Sequence, residues 1–418
     1  MRGRWKRFRT ACKRAGKNFG QKLKTFFKEA EFPLLVFTAA AIAILLRGTT
    51  FTFRSADYNT FLSVWFDQIK SEGIVTALGK QIGDYTPAYF YVLSILTLLP
   101  VNSLYSIKAV SCAFDILLAA FVGLCVKELT KSKTKGFLAY CATLFLPTVF
   151  LNSGSWAQCD SIYSSFCVMS VYYLLKKKNV TAILLYGVAF SFKLQAIFLA
   201  PLLAVLYFKR KIPLWSPLAV FGVYVLFCVP SWLCGRNFWS LLTIYFHQAG
   251  EYLSLTLNAP TLAVLFGNVS DYHRDKLAYA LIWLTAALTG LAVYLFSGKT
   301  EWKKESFVDL ALLFALGLPF FLPRMHERYF YLADVCSVAY VFLHPKRAYT
   351  AILTEFCSFW VVGNYLFGMN YLSLGVVALL QLVNLLLLCR DLVKDYGDKT
   401  PSPSSLSGED SSAEKKDL

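Results

Sequence analysis

The stretch FLPRMHERYFYLAD, Phe321–Asp334, decides how the chain is read. Its middle, Arg324-Met325-His326-Glu327-Arg328, sets four ionisable side chains between two apolar blocks, roughly 306–322 and 329–343. Each block has the composition of membrane-spanning helix. The polar middle then falls where two helices meet a membrane face.

The rest of the 418 residues agrees with that reading. The chain is 57% hydrophobic and 17% aromatic, with a mean hydropathy of +0.51, which excludes an ordinary soluble domain. Backbone groups in hydrocarbon must bond within their own segment, and the run lengths suit helices, not short alternating strands. The expectation is an all-α polytopic membrane protein of about 11–13 transmembrane helices.

The formal net charge is +17. Its basic residues stand in short clusters between apolar runs, the pattern of topology signals and anionic-lipid contacts, which excludes nucleic acid as the partner. The 11 cysteines form no CxxC pair and no metal-ligand spacing; Cys112, Cys125, Cys167 and Cys357 read as small core residues.

Three regions follow: a basic juxtamembrane segment at 1–32, a membrane domain at 33–390 and a Ser/Pro-rich, disordered tail at 391–418. The basic segment shows no cleavable signal. It fits either a surface-lying amphipathic helix or a disordered anchor that keeps the N-terminus inside.

The positive-inside rule places the clusters at 127–135, 176–178, 209–211, 299–304 and 346–347 in the cytoplasm. With both termini inside, the polar stretch 47–86 becomes a large first outer loop. The short run 87–100, bracketed by Pro87 and Pro100, reads as re-entrant or interfacial, and 105–126 as the crossing helix. The alternative is two crossings with 127–135 outside. Residues 179–208 read as a hairpin with Lys193 at its turn.

Under this threading five polar groups gather at the outer face: Asp57 and Asp84, the segment Trp156–Asp160, Lys193, residues 245–260, and Arg324–Arg328. Ionisable residues at a membrane mark functional sites by default. Arginines and a lysine suit a phosphate, and a carboxylate beside them can take a hydroxyl proton. That set describes group transfer from a phosphorylated lipid. Each member also has a plainer reading: a solvated loop at 324–328, a helix cap at Asp160, a snorkelling Lys193.

The segments ADYNTFLSVWFDQIKSEG, GDYTPAYFYVL, LPTVFLNSGSWAQCDSIYSSF, FSFKLQAIFLAPLL and LPRMHERYFYLADV, in that order, resemble the GT-C superfamily of polyprenyl-phosphate-sugar-dependent glycosyltransferases. More narrowly, they are similar to bacterial relatives of the PIG-V-like GPI mannosyltransferase. The likeness covers roughly residues 33–345. It implies a GT-C-like fold with catalytic carboxylates at Asp57, Asp84 and Asp160. Donor phosphate would be held by Arg324, Arg328 and Lys193. Sugar or acceptor contacts would come from Tyr58, Trp156, Gln158, Gln195, Asn258, His326 and Glu327, the last two binding hydroxyls or orienting the cations. Ala157 stands where the family pattern often has glycine, and YTPAY departs from its second motif.

The implied activity is transfer of a monosaccharide (mannose, glucose, galactose or an N-acetylhexosamine) from a polyprenyl-phosphate-linked sugar to a glycan, teichoic-acid-like polymer, glycolipid or protein. It would take place at the outer face of the cell membrane, among membrane lipids. No cofactor is required, and a divalent metal is compatible but not implied. The alternative is a polytopic transporter or lipid-linked sugar flippase.

Overall fold

A computed structural model describes residues 31–267, 269–298 and 302–396. The expectations for the basic segment before Glu31 and for the tail beyond Tyr396 lie outside the described residues.

Helices dominate, joined by one two-residue parallel strand pair, Thr256–Leu257 with Met325–His326. Five helices are long and apolar enough to cross a membrane: Glu31–Gly48, Ser103–Thr130, Ser216–Leu233, Asp271–Ser297 and Leu374–Tyr396. The bent pair Lys133–Leu144 and Pro147–Ser155 adds a sixth if it counts as one span. Large apolar side chains stand exposed along these helices, among them Leu45, Leu218, Trp283 and Val393, as a lipid-facing surface requires. The chain is an α-helical membrane protein.

Fewer helices pass the length test than the 11–13 crossings expected, and the reason is local. Polar groups at 152–160, 193 and 324–328 interrupt apolar runs, so Asn179–Phe192, Leu194–Phe208 and Ser306–Phe321 remain short. Ser103–Thr130 rises roughly 42 Å at 1.5 Å per residue, but Pro87–Thr97 rises only roughly 16 Å, too little to span.

The core runs along the long central helix Ser103–Thr130, which packs on Lys133–Leu144, Asp160–Leu175 and Tyr331–Leu343. Close approach is possible at Gly123, where a Cβ would lie 2.7 Å from the Gly136 carbonyl. Buried charges pin the bundle. Arg47 bonds Asp115 at 2.8 Å and the Leu144 carbonyl at 2.9 Å, and Lys108 donates to the carbonyls of Thr50, Phe51 and Phe53.

The stretch 47–86 is more ordered than a polar loop. It carries a π-turn at Tyr58–Leu62 and helices at Ser63–Glu72 and Ile74–Leu78, which bury Trp65, Phe66 and Ile69. The tail boundary also moves. The last helix continues to Tyr396, past 390, because Arg347 Nη2 bonds Asp395 at 2.8 Å and Tyr349 donates to Asp391.

Candidate functional site

Asp57 is placed from both sides. Ser55 Oγ accepts from the Tyr58 amide at 3.1 Å and donates to the Trp156 carbonyl at 2.8 Å, tying the start of the first polar region to the segment after Pro147. That second segment also contains a π-turn, Leu151–Ser155. Such turns redirect a helix at functional positions. Here they bring Trp156 Nε1 to 3.0 Å and Gln158 Nε2 to 2.6 Å from Asp57 Oδ2. Tyr365, from the Ala348–Phe367 helix, donates to Oδ1. Trp156 stacks on Tyr365 with centroids 4.9 Å apart. Ala157 takes φ +66° between these contacts, a backbone conformation that glycine adopts without strain.

Asp160 opens the helix Asp160–Leu175 and is fully buried. Its side chain caps no backbone amide. Instead it accepts from Asn152 Nδ2 at 2.8 Å and from Lys193. Lys193 sits where Asn179–Phe192 breaks into the tight turn Leu194–Leu199, and it is 3% exposed. The pair is therefore internal, which removes both plainer readings, the cap and the snorkelling lysine.

The GDYTP segment is fastened beside this pair. Thr86 Oγ1 donates to the Ser191 carbonyl at 2.6 Å, and Pro87 starts the next helix. A Cβ at Gly83 would lie 2.4 Å from the Trp65 ring, so the chain passes Trp65 only as glycine. Tyr85 then lies 5.4 Å from Trp65, centroid to centroid, and Lys193 Nζ 5.5 Å from the Tyr85 ring.

Within the segment that opened the sequence reading, residues 322–326 are not helical. Arg324 takes φ +62° and donates its amide to the Leu255 carbonyl at 2.7 Å. Met325–His326 then pairs with Thr256–Leu257, and a 3₁₀ turn covers Glu327–Phe330. Arg324 and Arg328 thus share no helix face, yet both border one cavity. Arg328 Nη1 lies 3.4 Å from Asp57 Oδ2 and 3.3 Å from Glu327 Oε1, with its carbon 5.5 Å above the Trp156 ring. Its Nε is buried and has no hydrogen-bond partner among the described residues. Arg324 Nη2 is 3.5 Å from Asp275.

Burial and charge set the ionisation. Burial pushes Glu327 up to about 7, against the pull of Arg328. Burial, then Arg328 and Lys193, drive His326 down to about 2, so its imidazole is neutral. Burial also works against the Arg328 charge, but Tyr85, Asp57 and Glu327 outweigh it and hold the guanidinium well above its ordinary range. Burial and the neighbouring Asp84 raise Glu251.

Two adjoining cavities receive these groups. The first, about 370 Å³, is bordered by Asp57, Asp84, Gln158, Asn258, His326, Glu327 and Arg328, with aromatic walls from Trp65, Tyr85, Tyr252 and Tyr365. The second, about 280 Å³, is bordered by Asp84, Lys193, Gln195, Arg324, His326 and Arg328. Three expected site residues border neither cavity. Tyr58 bonds Ser103 at 2.8 Å, Trp156 supports Asp57 from behind, and Asp160 is spent on Lys193. The solvated-loop reading of 324–328 fails on Glu327, which is 2% exposed.

The structure adds Tyr365, Glu251 and Tyr252. The last two lie inside the polar stretch 245–260. Tyr365 had no such flag, because its helix reads as an ordinary apolar span.

No protein-family model and no curated protein matches the chain.

Proposed function

We propose that the protein is a membrane glycosyltransferase that moves a monosaccharide from a polyprenyl-phosphate donor to a hydroxyl of a glycan, teichoic-acid-like polymer, glycolipid or protein outside the cell. The observation that carries the reading is Arg328. Its Nε–H is buried without a partner among the described residues, and its side chain touches Asp57 and borders both cavities.

The division of labour follows from the two cavities. The second holds the cationic side chains, Arg324, Arg328 and Lys193. A guanidinium offers phosphate oxygens two parallel donors, so the arginines take the donor phosphate. Lys193, already neutralised by Asp160, adds position more than charge. The first cavity combines carboxylates, amides and aromatic faces, a lining that suits a sugar. In the transfer the acceptor oxygen bonds to the anomeric carbon and the bond from that carbon to the phosphate oxygen breaks. The acceptor proton passes to a carboxylate, and polyprenyl phosphate leaves.

Asp57 is that carboxylate. Its two oxygens already receive four donors, about all a carboxylate accepts. The Arg328 contact, at 3.4 Å, is the longest of the four. A phosphate that draws Arg328 toward itself opens one acceptor site on Asp57 for the incoming hydroxyl.

The test is the composition of surface glycans from cells with and without the protein. Loss of one hexose or N-acetylhexosamine from one glycan is expected. Unchanged glycans with altered uptake or export of a small solute would reject the transferase.

A further inference from the structure

A second cationic position stands apart from this site. Four cationic side chains are buried among the described residues: Arg47, Lys108, Lys193 and Arg236. The first three each meet a carboxylate or backbone carbonyls. Arg236 does not. It is 5% exposed, and its Nε and Nη2 are buried without a hydrogen-bond partner among the described residues. The ionisable groups acting on it are Cys228, Tyr224 and Tyr91, none of them a carboxylate. The two tyrosine hydroxyls are turned to other work, Tyr91 donating to the Phe227 carbonyl at 2.7 Å and Tyr224 to the Leu241 carbonyl at 2.8 Å. Burial pulls the Arg236 guanidinium below its ordinary range. A buried charge without a partner costs several kcal/mol, and proteins seldom leave one uncompensated.

The location says what compensates it. Arg236 lies three positions beyond the end of Ser216–Leu233, a helix of membrane-spanning length. The chain turns there through Gly235 at φ +107°, and the Arg236 amide bonds the Ser231 carbonyl at 3.1 Å. Around it stand exposed Trp232, Leu233 and Trp239, with the Trp232 and Phe238 rings 5.7 Å apart. Exposed tryptophans at the end of a spanning helix lie at the headgroup level of a bilayer. Phosphodiesters are the fixed anions at that depth, and arginine binds phosphate through paired N–H groups.

We propose that Arg236 is a binding site for the phosphate of an anionic membrane phospholipid, seated at the Trp232–Trp239 edge and separate from the cavities around Asp57. The bound lipid supplies the counter-charge that the described residues do not and fastens the turn after Ser216–Leu233 to the membrane surface.

The test uses the full chain in nanodiscs of phosphatidylcholine, with and without phosphatidylglycerol. Thermal unfolding is compared for wild type, Arg236→Met and, as a control for general charge attraction, Lys70→Gln on the exposed surface. Wild type and Lys70→Gln should gain stability from phosphatidylglycerol. Arg236→Met should lose that gain while matching or exceeding wild type in phosphatidylcholine alone, since it removes an uncompensated charge. Short-chain phosphatidylglycerol should bind Arg236→Met at least about tenfold more weakly in detergent. An equal gain in Arg236→Met would overturn the site. Protection by inorganic phosphate equal to that by the lipid would overturn the membrane source.

Discussion

Arg328 Nη1 lies 3.4 Å from Asp57 Oδ2, joining two residues 271 positions apart in the chain. The contact connects the cavity proposed for the donor phosphate to the carboxylate of the cavity proposed for the sugar. Removing the cation should therefore be felt first in donor handling. Arg328→Ala and Arg324→Ala should each weaken binding of a polyprenyl-phosphate donor by about 10–150-fold, the loss expected for one charge-assisted hydrogen bond. Arg324→Lys should stay impaired, because lysine keeps the charge and loses the fork. Equal donor affinity in wild type and both alanine variants would remove the phosphate-clamp role.

Tyr365 and Trp156 hold Asp57 from two directions, one at each carboxylate oxygen. Tyr365→Phe and Trp156→Phe delete one donor each and keep most of the ring. Each should lower turnover by about 10-fold or more, with donor affinity close to wild type. Parallel loss of donor affinity in steady-state and binding measurements would show that these residues support the cavity as a whole.

The Lys193–Asp160 pair is buried on both sides. Lys193→Met leaves Asp160 uncompensated and should cost about 3–5 kcal/mol of stability. Adding Asp160→Asn should return a large part of that loss. Thermal or denaturant unfolding of the single and double variants measures the coupling, and additive losses would mean that the pair is not energetically linked.

The sequence showed the helical membrane character and most of the residues that gather in the candidate site, and the parts it hid have physical reasons. Asp57, Asp84 and Arg328 were visible because a charged residue at a membrane boundary stands out against an apolar chain. The roles of Trp156 and Asp160 were not, because polarity marks a residue without saying whether it faces a cavity or a buried partner. Spacing alone does not place Arg324 and Arg328 together. Four positions imply a shared face only on a helix, and here a positive-φ residue and a two-residue strand intervene, yet the fold brings both to one cavity. Tyr365 carried no signal, since one tyrosine in an apolar helix is ordinary. Arg236 lies outside the basic clusters and carried no signal; its burial without a counter-charge among the described residues sets it apart.

Glu327 gives a pH signature. Its folded value, about 7, lies above the ordinary 4.5, so between those values the folded state holds a proton that the unfolded state has released. The contribution to stability is full below about 4.5 and is lost as pH rises through about 7, to an extent of about 3 kcal/mol. Glu327→Gln should flatten that part of the profile. Unfolding of wild type and variant at pH 5.5 and pH 8 measures the difference, and identical pH dependence would assign the slope to other groups.

The most direct measurement is release of polyprenyl phosphate from polyprenyl-phosphate hexoses and N-acetylhexosamines by the purified protein in nanodiscs, with acceptor glycan supplied. The expected result is acceptor-dependent release from one donor by wild type. Asp57→Asn should slow it by about 10²–10⁴-fold while still binding that donor. Movement of the intact sugar-lipid between leaflets of reconstituted vesicles, with no polyprenyl phosphate released from any donor, would contradict the transferase and make the protein a transporter.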